Sequence, residues 1–126
     1  MNDDYSSLPG LGAVVLEDSY VLGIEAGPGS LVFRLDLRLT PDHPLHRPPL
    51  PHEWACFRHA VLSFPAVRSL VWSDQGTPPA RDATGEIDFG SVDTFTRVGS
   101  VSCLTGDWGR IEVTSAATPV IRIETD

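Results

Sequence analysis

Between residues 30 and 40 every second side chain is large and apolar. Leu31, Phe33, Leu35, Leu37 and Leu39 alternate with Val32, Arg34, Asp36, Arg38 and Thr40. A period of two suits an extended chain, whose successive side chains point to opposite faces; on a helix the same residues would scatter to both sides of the axis. The segment predicts a strand with one dry and one wet face. Residues 19–26 read as its partner, with Tyr20, Leu22 and Ile24 on one face. Gly27-Pro28-Gly29 lies between them, where glycine accepts positive φ and proline fixes a corner. Together they predict a β-hairpin.

The rest of the chain repeats this grammar in shorter pieces. Residues 54–64 read as a strand, with a short helix over 53–60 as the rival, and 67–73 as another strand. Residues 91–95 fit either one helical turn capped by Ser91 or the start of a strand. Three strands close the chain at roughly 98–105, 109–115 and 119–124, with the tight-turn sequence Gly106-Asp107-Trp108-Gly109 between the first two. Residues 41–53, with five prolines, and 74–86 read as loops. Residues 1–12 read as a flexible lead and 13–126 as a single domain. The expected fold is all-β: an antiparallel sandwich or partly open barrel of about seven to nine short strands with at most one or two helical turns.

Composition agrees. Hydrophobic residues make up 41% and charged residues 21% of 126 positions, and Gly and Pro number 11 each. That argues against a helical bundle or a disordered chain and for short strands joined by turns. No apolar run reaches a membrane span, and the acids at Asp3 and Asp4 stand where a secretory signal needs basic residues, so the chain reads as cytoplasmic. In that setting Cys56 and Cys103 read as reduced, small hydrophobes.

Charge narrows the partners. Seventeen acids face nine arginines, there is no lysine, and the net charge is -8. The arginines are scattered, which disfavours phosphate backbones and anionic membrane surfaces. Neither nucleic acid nor membrane is expected as a partner; a protein partner, and a basic one, suits the field better. A homodimer is compatible with the same composition.

Three groups of residues can carry chemistry or binding. His43, His46 and His52 lie in the proline-rich loop, where a three-residue turn brings such positions to one side, as candidate zinc ligands. The acids Asp82, Glu86, Asp88 and Asp93 crowd one stretch, but not in the order of a calcium loop. Trp54, Trp72 and Trp108 read first as packing anchors, Trp72 and Trp108 at the ends of the sandwich; as the alternative they are candidate binding residues, with Asp88, Asp93 and Asp107, because Trp anchors dominate interfaces. No nucleophile elbow, phosphate loop, dinucleotide fingerprint or zinc-protease motif is present, so no catalytic residue is assigned and no cofactor is expected.

The stretch from Gly85 to Phe95, containing Asp88-Phe89-Gly90-Ser91-Val92-Asp93, together with Gly106-Asp107-Trp108-Gly109, resembles a group of small bacterial all-β proteins of unassigned activity. Leu16 to Ile24 is similar to the first strand of that group and of several immunity-protein families. The resemblance implies an immunity-type protein that occludes a basic toxin, and it transfers no functional residue. The leading expectation is a non-enzymatic interaction module binding a basic partner through an acidic face. The alternatives are a small-ligand-binding β-barrel and a metal-dependent hydrolase using the His43, His46 and His52 loop.

Overall fold

A computed structural model describes residues 3–75, 80–81 and 87–124. The strands are β1 (Asp3–Asp4), β2 (Val14–Gly27), β3 (Ser30–Leu39), β4 (Cys56–Pro65), β5 (Val67–Ser73), β6 (Ala80–Arg81), β7 (Ile87–Asp88), β8 (Thr94–Val98), β9 (Val101–Gly106), β10 (Gly109–Ser115) and β11 (Val120–Ile123). Two antiparallel sheets hold the core between them. One has the order β1-β8-β9-β10-β5, the other β11-β4-β3-β2, and β6 pairs only with β7. The fold is an all-β sandwich and not a closed barrel.

The hairpin forms where the alternation places it. Gly27 pairs with Ser30, leaving Pro28-Gly29 as a two-residue turn with Gly29 at φ 74. Leu31, Phe33, Leu35, Leu37 and Leu39 are all buried, facing Phe95, Leu104, Ile111 and Val113 of the other sheet in one continuous core. At about 25 cal/mol per Å², each fully buried side chain of this size contributes roughly 1.5–3 kcal/mol. The 53–60 helix does not form, because Cys56, Ala60, Leu62 and Phe64 bury at strand spacing against β3. Residues 91–93 form neither helix nor strand, and the segment enters β8 at Thr94, from which Phe95 and Arg97 point inward. Among the described residues the one helical piece is a 3-10 turn at Tyr5–Ser7.

Two local features depart from the reading of β2. Its register against β3 shifts between Val15 and Tyr20 and again between Val21 and Gly23. Buried Ser19 bridges the first irregularity, donating to Val15 O and accepting from the Arg38 N–H. The second shift separates residues that a continuous strand would put on one face: Tyr20, opposite Asp36, points out, and Ile24, opposite Phe33, packs on the core. The segment read as a flexible lead holds β1 against β8, and buries Tyr5 and Leu11. Tyr5 stacks on Phe95, donates to Glu17 Oε1 and accepts from the Leu16 N–H. A phenol carrying those contacts ties the segment down.

Residues 88–93 and 106–109 pack against the rest of the fold. Asp107 and Trp108 form the β9–β10 turn, and Trp108 folds back so that its ring meets Phe33 edge-on at 5.4 Å and its indole N–H donates to Ser91 O. A Cβ at Gly106 would lie 2.5 Å from Ser91 O, and one at Gly109 2.3 Å from Ser73 O, so the turn closes only with glycine at both ends. Residues 88–93 then clasp β2: Phe89 N–H donates to Val21 O, and Val21 N–H to Gly90 O.

Candidate functional site

The outer face of the four-stranded sheet carries an aromatic cluster. Outward positions alternate with the core residues, so Arg38 of β3 lies opposite Phe57 of β4, and Tyr20 lies opposite Asp36. Phe57 is buried although it points outward. Tyr20 covers it from one side, ring centroids 5.7 Å apart, and Trp54 meets it edge-on at 5.4 Å. The Arg38 guanidinium sits 4.7 Å above the Trp54 ring and donates to Asp18 Oδ2. Even so, Trp54 remains 59% exposed and Tyr20 37%. Aromatic rings held in place yet open to water gain most from a partner that covers them, since little side-chain entropy is left to lose.

The proline-rich loop that leads into Trp54 is itself held down, by contacts that the sequence reading missed. Arg47 donates to Glu53 Oε1 and to Phe57 O, both at 2.9 Å, and Glu53 Oε1 also accepts the Leu50 N–H at 3.0 Å. Arg58 Nε donates to Leu45 O at 3.1 Å. The loop between β3 and β4 is thus stapled to β4 immediately before Trp54. Burial acts to raise the Glu53 pKa, but the Arg47 hydrogen bond, the Leu50 N–H and the Arg47 charge outweigh it and hold the carboxyl below its ordinary range.

The other candidate residues lie elsewhere. Trp108 is 3% exposed and belongs to the core. Trp72 is half-buried, its indole N–H donating to Trp108 O at 3.0 Å. Asp88 caps the clasp by accepting from Gly90 N–H, Asp93 accepts from Ser91 Oγ, and Asp107 is exposed beside Gly90 on the β9–β10 turn. The structure does not join these acids to Trp54 in one cluster; it groups them around the clasp. Asp82 and Glu86 lie outside the described residues.

Among the described residues no group of three or more His, Cys, Asp or Glu side chains is placed to hold a metal. His43 Nδ1 accepts the Leu45 N–H at 3.0 Å. Burial, the Arg58 charge and His46 lower its pKa and so favour the neutral imidazole, in which an Nδ1 that accepts leaves the proton on Nε2. His52 is exposed at the far end of the loop. The cysteines are free, Cys56 buried and Cys103 half-buried.

No match appears among protein-family models, curated proteins or solved structures. The site therefore stands on its own geometry. Among the described residues no helix is long and apolar enough to cross a membrane.

What the arrangement can do is bind. Tyr20, Phe57 and Trp54 give a patch of apolar area. Arg38 and Arg34, with Asp18 and Glu25 as their partners, give it a polar rim. Trp, Tyr and Arg are the residues most enriched among binding hot spots. Sequence reasoning found Trp54 but missed Tyr20, whose exposure depends on the bulge, and Arg38, whose role depends on a loop that returns beside it.

Proposed function

We propose that this protein is a non-enzymatic cytoplasmic interaction module that binds a basic protein through the outer face of its four-stranded sheet. The reading rests on one observation: Trp54 is 59% exposed while fixed by Phe57, Arg38 and the Arg47–Glu53 staple. An indole kept both open and rigid is better suited to recognition than to stability. The partner's positive charge follows from the net charge of -8, which would steer a cationic protein toward this chain. Occlusion of that partner, in the manner of an immunity protein, is the mechanism that such a face supports. The test compares immobilised wild-type chain with Trp54→Ala, both with the same far-ultraviolet circular dichroism. A basic protein retained by the wild type should be weakened about 30-fold or more by the substitution, the scale of a hot-spot residue. Retention of the same proteins equally by both chains would refute the proposal.

A further inference from the structure

The opposite side of the sandwich has a different character. On β8, β9, β10 and β5 the outward positions fall in register, and most are Thr, Ser or Val, with Cys103 among them on β9. Val71 is 62% and Val98 53% exposed, and Val101 is exposed beside Val98. The charges on this side are Arg110 and Glu112, which pair with each other at 3.6 Å, and, toward the two edge strands, exposed Arg68 of β5 and exposed Asp4 of β1. In a chain of net charge -8, these two positive and two negative side chains leave the face without net charge.

We propose that this face docks a second copy of the chain. Two copies at -8 repel each other, so they can share a surface only where neither brings net charge to it. Arg110 and Glu112 also suit two-fold symmetry. They lie two residues apart on β10, on the same side of the sheet. A two-fold axis lying in the interface, perpendicular to β10 and passing between them, sets Arg110 of each copy opposite Glu112 of the other. An isologous contact of this kind makes the favourable pair twice. Face-to-face sheet packing of short, branched side chains is the ordinary way sandwich layers meet.

The expected size also fixes the expected strength. Four strands about 4.8 Å apart and three outward rows about 7 Å apart span roughly 400 Å² per copy. That is about half of what a standard specific interface buries per partner, so the dimer belongs to the weak, transient class, with a dissociation constant in the range of roughly 10–100 μM.

Sedimentation of the full-length chain tests this. The wild type should pass from monomer to dimer across that concentration range. Glu112→Arg puts two arginines on each copy and Arg110→Glu puts two glutamates, so each variant alone should stay monomeric. An equimolar mixture of the two should dimerise, because only unlike copies are then complementary. Val71→Asp, at an exposed position, should be monomeric alone and in every mixture. Trp54→Ala should dimerise like the wild type. A wild type that remains monomeric well above about 100 μM would overturn the proposal. So would a dimer that survives both charge variants, or a mixture that fails to associate.

Discussion

Replacing Glu53 by Gln isolates the staple behind Trp54. The amide keeps the shape and an acceptor oxygen for the Leu50 N–H, but the charge that faces Arg47 at 2.9 Å is lost. Both side chains of the pair are mostly buried, so solvent screening does not erase the interaction. A hydrogen bond to a charged group is worth about 1.5–3 kcal/mol and a neutral one about 0.5–1.5, so the substitution should cost roughly 1–2 kcal/mol at neutral pH. The pH dependence has a definite sign. The carboxyl's pKa is lower in the folded chain than its ordinary value. Its stabilisation is therefore complete above the ordinary carboxylate range and disappears as pH falls through the lower, folded value. Urea unfolding of wild type and Glu53→Gln at about pH 7 and about pH 3 gives the observable, the gap between the two. The gap should be about 1–2 kcal/mol at the higher pH and smaller at the lower, as protonation of Glu53 in the wild type removes the charge that faces Arg47. An equal gap at both values, or none at either, would refute the reasoning.

Other substitutions probe the core and its seals. Trp108→Ala removes a buried ring packed on Phe33 and should lower unfolding free energy by about 3–5 kcal/mol in urea titrations. Tyr5→Phe deletes the hydroxyl bonded to Glu17 and to the Leu16 N–H and should cost about 1–2 kcal/mol. Burial and the Glu17 hydrogen bond raise the Tyr5 pKa, so the wild type should lose stability as pH climbs past about 10, and the Phe variant should lack that component. Buried Arg97 donates to the hydroxyls of Ser102 and Ser115 and to the carbonyls of Ser115 and Ala117. Arg97→Met leaves those groups without their donor and should cost about 2–4 kcal/mol by the same titration.

The architecture was readable because its cause is local. Alternation along β3 and the Pro28-Gly29 turn specify a two-faced hairpin without reference to the rest of the chain. The 91–95 segment stayed ambiguous because a five-residue stretch holds too few apolar residues to separate a period of two from 3.6. The contacts of the N-terminal segment were not legible for another reason: a polar run gives no sign that one tyrosine will find Phe95 and Glu17 across the fold. The three tryptophans show the same limit. Trp54 and Trp108 each stand beside a turn or loop, and nothing nearby says that one will be 59% and the other 3% exposed. That difference is set by the backward fold of the Gly106–Gly109 turn and by Arg47, which reaches Glu53 and the Phe57 carbonyl. Neither is a pattern within a window. A bulge is equally hard to read, and it is the bulge that sends Tyr20 outward.

The central claim is that the aromatic face, and not another part of the surface, meets the partner. Photo-crosslinking tests it most directly, with benzoylphenylalanine placed at position 20 in one chain and at position 71 in another. Irradiation with the retained basic protein should give a covalent heterocomplex from position 20, absent from position 71 and abolished by Trp54→Ala. Crosslinking to that protein from position 71 and none from position 20 would contradict the account.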